Sequence, residues 1–250
     1  MVLVPGTDLD TATGPQDGIR FMITSGIMTK DELTQFQQLL NSQPQLSEFE
    51  SSLLPDIELG IARLTDIENV YDVAGEHGGI WSIGRIITYY ERGVQNLLFV
   101  SQPKSAAKEN IDPGTFEYTN RTVGVDKGEE GNSAGDSEVA TLQELKNRIW
   151  GYNVLQGLPS HLHIILSSNM GPCIGCQGRL RAFINDLRAA VSALNYTLPT
   201  TLEINYTTAR NSGSRHGLET TYGYNSDQTI SVGHPEVYHY YSKTFDYNLQ

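Results

Sequence analysis

The chain is short of cysteine, of long apolar runs and of a leader-like opening, and each shortage excludes a class of protein. Only two cysteines occur in 250 residues, too few for a disulfide-stapled secreted scaffold. The longest apolar runs, such as NLLFVS, are far too short to span a bilayer. No basic segment followed by an apolar one opens the chain. We therefore predict a cytoplasmic protein without a membrane partner, and leave export by a leaderless route open.

Basic residues are also scarce. Lys and Arg total 17 against 29 Asp and Glu, which gives a formal net charge of −12. This balance disfavours non-specific binding of duplex nucleic acid through a broad basic face. The acidic excess lies before residue 140, so a local basic channel built from the second half of the chain stays open.

The first third of the chain carries helix signals. TKDEL is a capping box followed by apolar residues at helical spacing, and we predict a helix there after an irregular lead-in over residues 1–27. Apolar periodicity predicts further helices over 57–74 and 79–92, with a loop over SQPQLSEFESSLLPD. Residues 1–93 are therefore expected to form an acidic, mostly helical N-terminal extension.

From about Val94 the pattern changes to alternating strands and helices. VQNLLFVSQ and GTFEYTNRTVGVD predict two strands, DSEVATLQELKNRIW a helix and HLHIILSS a third strand. A long helix from Cys173 to Asn195 and a strand at TLEINYTTAR follow. This order, β-β-α-β-α-β, predicts a layered α/β domain over residues 94–250, with further strands in the Tyr-rich tail near 229–232 and 237–241.

Both cysteines lie in SSNMGPCIGCQGRLRAF, and four interpretations of the C-x-x-C pair compete. A disulfide would close a very short loop and add little stability. A redox dithiol is expected after the first strand of its fold, whereas this pair opens a late helix. A structural zinc site needs a second Cys or His pair at close spacing, which the histidines do not provide. A catalytic zinc site needs only three protein ligands and leaves a fourth position for water.

GDSEV is a source for the third ligand and for a proton-transfer group. Asp136 and Glu138 lie two residues apart at the start of one predicted helix, and Cys173 and Cys176 lie at the start of the next. Parallel helices on one face of a sheet would bring both N-termini together, where the helix dipoles favour anionic groups. An N-cap aspartate with a first-turn glutamate is the common alternative for the first pair.

DSE followed by PCIGC resembles the zinc-dependent deaminases of the cytidine-deaminase superfamily, whose signature is H-x-E followed by P-C-x-x-C. The likeness spans residues 94–210 and is closest to the toxin-type branch, in which some members use D-x-E. It implies a three-layer cytidine deaminase-like domain with a mixed sheet. Residues 1–90 show no such resemblance.

The resemblance also implies the roles of the motif residues. Asp136, Cys173 and Cys176 would hold Zn²⁺, and Glu138 would move protons while water replaces the amino group of a nucleobase. The implied substrate is a single-stranded or flipped-out nucleic acid, or a free nucleotide, with cytosine favoured over adenine. An immunity-type protein is a further expected partner. Asp136 stands where most of the superfamily has His or Cys, and its oxygen can still ligate zinc.

Six further residues are candidates with weaker signals. Three are expected near a bound base, namely Pro172, Ser168 and Asn169, and Asn132 is expected near its ribose. Two arginines, Arg121 and Arg179, are candidates to lie around the metal ligands and offset their negative charge. The alternatives are ordinary helix-start, turn and strand-end roles, and exposed charge for the arginines.

Two other functional classes remain open from the sequence. A deaminase-like fold can serve as a structural zinc-binding or protein-interaction module without catalysis. A thiol redox protein would depend on Cys173 but not on a metal.

Overall fold

A computed structural model describes residues 15–24, 28–90, 95–101, 104–105, 116–120, 136–208, 228–232 and 238–250. The α-helices described are α1 Pro15–Thr24, α2 Lys30–Asn41, α3 Glu48–His77, α4 Ser137–Gly151 and α5 Ile174–Ala193. The strands are β1 Ser82–Tyr89, β2 Gln95–Val100, β3 His161–Met170, β4 Leu198–Thr208, β5 Gln228–Val232 and β6 Tyr238–Leu249. Two 3₁₀ turns span Glu117–Asn120 and Val154–Gly157.

The strands form one mixed sheet, in the order β2-β1-β3-β4-β6-β5. Strands β3 and β4 pair in parallel, and the other neighbours pair antiparallel. The α/β class predicted from the sequence is therefore confirmed. Because β3 and β4 run in parallel, the helix that connects them, α5, must cross back over the sheet.

Helices cover both faces of the sheet. On β1, Arg85 pairs with Asp66 of α3, whereas its neighbour Gly84 lies against Thr141 of α4. Successive strand residues point to opposite faces, so α3 and α4 lie on opposite sides. The face that carries α4 and α5 holds the main apolar core, which includes Ile86, Leu142, Leu145, Ile164, Leu180, Phe183, Leu202 and Ile204.

The predicted helix over 79–92 is wrong, because Ser82–Tyr89 is strand β1. This strand lies between β2 and β3 and is buried along nearly its whole length. A strand buried on both faces shows no alternation, so its apolar residues also fit a helical stripe. The boundary expected between residues 93 and 94 consequently falls between the first two strands of the sheet.

Two other expectations for the first third are corrected. Part of the expected lead-in is helix α1. The loop expected over SQPQLSEFESSLLPD contains the start of α3, where Ser47 and Glu50 form a capping box and Pro55 lies inside the helix. The helix continues through that proline, and Leu53, two residues before it, is buried in the cluster that α1, α2 and α3 share. The TKDEL capping box and the helix over 57–74 are confirmed.

The strand expected over 114–126 is wrong where the structure describes it, because Glu117–Asn120 is a 3₁₀ turn. The buried Tyr118 of this turn packs on Phe183 and donates its hydroxyl to Asp186 of α5, at 2.7 Å. The remainder of that strand and the KGEEGNSAG loop lie outside the described residues. The other strands and helices predicted from residue 94 onwards are confirmed within one to a few residues at their ends, except that the strand expected near 237–241 continues to Leu249 as β6.

Gly84 lets α4 approach β1 closely. A Cβ at Gly84 would lie 2.7 Å from Thr141 Cγ2 and 2.8 Å from Leu145 Cδ2. We expect Gly84→Ala to lower the free energy of unfolding by about 1–3 kcal/mol, because the added methyl group overpacks this contact. Chemical denaturation followed by circular dichroism measures the change.

The matched control is Gly75→Ala in α3, where an added Cβ meets nothing within 4 Å. That substitution should leave the free energy of unfolding unchanged or raise it by up to about 1 kcal/mol. Equal stability of the two variants would contradict close packing at Gly84.

Candidate metal centre

Helices α4 and α5, which lie on the same face of the sheet, begin close to each other. Strand β3 ends at Met170, and the chain then passes through Pro172 to Cys173, which is the N-cap of α5. Asp136 is the N-cap of α4. The sheet thus brings together the N-terminal ends of α4 and α5, which carry the two motifs found in the sequence.

The side chains at these helix starts converge. Oδ2 of Asp136 lies 3.3 Å from Sγ of Cys173 and 3.0 Å from Sγ of Cys176. One ligand atom from each residue lies within 4.8 Å of the others. Among the described residues, this is the one group of three His, Cys, Asp or Glu side chains with such spacing.

Asp136 occupies an N-cap position without acting as a cap. Its backbone is extended, with φ −68° and ψ 147°, yet its side chain accepts no capping hydrogen bond. The carboxylate turns instead toward the two sulfurs. At the next helix, Sγ of Cys173 does accept the backbone N–H of Cys176, at 3.3 Å. The common N-cap explanation of Asp136 therefore does not account for where its oxygens lie.

Glu138 lies beside this group and outside it. It is 3% exposed, its Oε2 accepts from the Ser137 hydroxyl at 3.2 Å, and the same oxygen lies 3.7 Å from Sγ of Cys176. Burial, and then the charge of Asp136, raises the pKa of Glu138 to about 7.

Four acidic groups thus meet at two positive helix ends. The pKa of the Cys176 thiol is raised well above its ordinary value by its hydrogen bond with Cys173, by burial and by the negative charge of Glu138. A cation bound between the four groups would have the opposite effect on their pKa values, because it favours the deprotonated form of every group around it.

The donor set fits a tetrahedral divalent metal. Zinc–sulfur and zinc–oxygen bonds of ordinary length place a ligand sulfur and a ligand oxygen about 3.6 Å apart. The observed separations of 3.0 and 3.3 Å are shorter than this value, so the side chains would move apart slightly around an ion. Two sulfurs and one oxygen leave a fourth position. The structure therefore shows one group that can hold a metal ion.

Ser168 and Asn169, two of the expected substrate contacts, are engaged with the backbone before β1. Ser168 donates its hydroxyl to the carbonyl of Trp81 at 3.0 Å. The Asn169 side chain accepts from the Trp81 N–H at 2.7 Å and donates to the carbonyl of Gly79 at 3.0 Å. These bonds tie the end of β3 to the start of β1, and a contact with substrate stays a prediction.

The remaining candidates have different outcomes. Pro172 is buried beside Cys173, and its carbonyl accepts from Gln177 at 2.9 Å. Arg179 is 3% exposed on α5. That it offsets the negative charge of the ligands stays a prediction. Asn132 and Arg121 lie outside the described residues.

Sequence reasoning missed a second buried polar cluster, between α3 and the sheet. Arg63 pairs with Glu203, and Nε2 of His163 lies 3.1 Å from the same carboxylate. Asp66 accepts two bonds from Arg85, each at 2.8 Å. One signal was present: these charged residues interrupt apolar stripes, as Glu203 does between Leu202 and Ile204 in β4.

Comparison with known proteins gives no family assignment. No family model, no curated protein and no solved structure matches this chain. None of the helices in the described residues combines the length and apolarity needed to cross a membrane.

Proposed function

We propose that this protein is a zinc-dependent hydrolytic deaminase that acts on a nucleobase in a nucleic acid or a nucleotide. The observation that carries the proposal is the position of Asp136. Its carboxylate is turned away from capping its own helix and meets both cysteine sulfurs, while the buried Glu138 lies next to them.

The fold is consistent with the proposal. From Ser82 the strands and α-helices follow one another as β-β-α-β-α-β before the last two strands. This is the order that the sequence patterns predicted, but its first two strands are β1 and β2 and not the predicted pair of segments over 94–102 and 114–126. The motif D-x-E lies at the start of the first of these helices, and P-C-x-x-C at the start of the second. These elements support a three-layer arrangement with the metal centre at one end of the sheet.

Each residue of the centre then has a chemical task. Asp136, Cys173 and Cys176 hold the metal, and zinc, when bound, lowers the pKa of a water molecule and increases its nucleophilicity. Glu138 accepts one proton of the attacking water and delivers it to the ring nitrogen, and then transfers the proton of the newly added hydroxyl group to the amino group. The amino group leaves as ammonia and a carbonyl replaces it, so one water is consumed per ammonia released.

The substrate is an unpaired base, because the amino-bearing ring carbon is inaccessible within a stacked duplex. Cytosine is favoured over adenine, as in the superfamily that the motif resembles. The acidic balance of the chain, with 29 Asp and Glu against 17 Lys and Arg, disfavours tight non-specific binding of duplexes.

The test combines metal analysis with an ammonia-release assay. The purified chain should hold about one zinc ion, and Asp136→Ala should lose it. Removal of a ligand should weaken zinc binding by more than the roughly 10–100-fold that removal of an outer hydrogen-bond partner costs. Asp31→Ala, at an exposed position in α2, is the matched control and should keep its zinc. The assay uses single-stranded DNA, single-stranded RNA and nucleotides that contain cytosine or adenine.

Burial favours a second candidate function. Cys176 and Glu138 are 1% and 3% exposed, although Asp136 and Cys173 are only half-buried, and closed zinc sites are often structural. In that case the wild-type chain holds zinc and releases no ammonia from any substrate of the panel.

A further inference from the structure

The helical layer formed by α1, α2 and α3 contains an apolar cavity whose lining includes no residue that the proposed chemistry uses. It lies between α1 and α2, has a volume of about 470 Å³, and is lined by Ile19, Met22, Met28, Gln35, Phe36 and Leu39. Ile19, Met22 and Leu39 are 38%, 45% and 58% exposed. These exposed apolar side chains line one concave surface, which makes that surface a candidate interaction site.

The lining residues of α1 and α2 form two short apolar stripes. Ile19 and Met22 are one helical turn apart on α1, and Phe36 and Leu39 are one turn apart on α2. Two stripes with a cavity between them are the receiving surface for the apolar face of an amphipathic helix, which presents its own residues at the same spacing. Methionine side chains adapt readily to such an occupant.

The negative charge of the residues around the cavity favours a positively charged binding partner. Residues 15–77 contain eleven Asp and Glu against three Lys and Arg, a net charge of −8. All three cations are already held in ion pairs: Arg20 with Asp56, Lys30 with Glu68, and Arg63 with Glu203. The layer therefore presents a strongly negative field to any partner.

Part of this charge lies directly beside the cavity. Asp31 and Glu32 are exposed in the first turn of α2, and each is four residues before a residue of the lining, Gln35 and Phe36 respectively. Residues four apart lie on the same face of a helix. One end of the cavity is thus flanked by two carboxylates.

We propose that this cavity binds a basic amphipathic helix from a protein partner, with the apolar face of that helix between α1 and α2 and its Lys or Arg residues beside Asp31 and Glu32. A second copy of the chain fits less well, because two layers of charge −8 repel each other. An anionic lipid surface is disfavoured for the same reason. The proposal is independent of the metal centre and of its chemistry.

The experiment uses the full chain and two synthetic helical peptides. Both carry Leu at positions i, i+3, i+4 and i+7; one carries Lys at the other positions and the second carries Glu. Binding is followed by fluorescence anisotropy of the labelled peptide. We expect the Lys peptide to bind with a micromolar Kd that weakens as salt is raised, and the Glu peptide to bind at least about tenfold more weakly.

Two variants locate the binding. Leu39→Glu places a carboxylate in the cavity and should weaken the Lys peptide about tenfold or more. Gln38→Glu adds the same charge to the same helix at an exposed residue outside the lining and should change Kd by less than about twofold. Since Leu39 is 58% exposed, both variants should fold normally, which circular dichroism checks.

Three results would overturn the proposal: no binding of the Lys peptide, equal binding of both peptides, or binding unaffected by Leu39→Glu. A dimer in light scattering that Leu39→Glu converts to a monomer would also overturn it, because a second copy would then occupy the cavity. None of these readouts depends on zinc or on ammonia release, so the deaminase proposal stands or falls separately.

Discussion

Replacing Glu138 with Gln is expected to lower the rate of ammonia release by about 10²–10⁴-fold, the usual contribution of a general acid–base group. The amide keeps the shape of the side chain but can neither accept the proton of water nor return it to the ring. Because Glu138 lies beside the three side chains that can hold a metal ion and not among them, the zinc content should stay near that of the wild-type chain. Steady-state ammonia release and metal analysis of the same preparation measure both.

Glu58→Gln is the matched control for this variant, since it makes the same change at an exposed residue of α3. It should keep both activity and zinc. A Glu138→Gln chain that still releases ammonia at the wild-type rate would remove Glu138 from the mechanism. A wild-type chain that holds zinc but is inactive on the whole substrate panel would favour a structural role for the metal.

Replacing Glu203 with Gln is expected to lower the free energy of unfolding by about 3–5 kcal/mol. Glu203 is 1% exposed and is paired with Arg63, which is 7% exposed, so the neutral amide would leave a buried guanidinium without its counter-charge. The loss is a large part of the roughly 5–15 kcal/mol by which domains are stable. Denaturant titration of both chains measures it.

The control is Glu68→Gln, which breaks the more exposed pair with Lys30 and should cost at most about 1 kcal/mol. A double variant, Arg63→Met with Glu203→Leu, should recover much of the loss, because an apolar pair of similar size leaves no charge buried alone. Equal costs for Glu203→Gln and Glu68→Gln would show that the buried pair is not important for stability.

The same pair predicts how stability depends on pH. Burial raises the pKa of Glu203, but the charge and hydrogen bonds of Arg63, with a contribution from His163, outweigh burial and hold the pKa well below the ordinary value of 4.5. The folded chain therefore keeps this carboxylate ionised where the unfolded chain takes up a proton. Its stabilisation is fully present above about pH 4.5 and is lost as pH falls below that value, a loss that Glu203→Gln should not show.

Local signals predicted most of the helices and the composition of the candidate metal centre. The TKDEL capping box needs only residues three apart, and it is formed as expected. The D-x-E and C-x-x-C pairs are also local, and they lie at the starts of α4 and α5 as predicted. Such features depend on hydrogen bonds and dipoles within one helical turn, which neighbouring residues specify by themselves.

The sequence by itself could not place β1 or the polar cluster beneath α3. An apolar segment such as SIGRIITY fits a strand or a helix equally well until it has neighbours, and the neighbours of β1 are β2 and the distant β3. Arg63 and Glu203 meet across 140 residues, and Asp136 turns from its own helix because the sulfurs of another helix are close. These outcomes depend on contacts between distant segments, whose free energy exists only once the sheet has assembled.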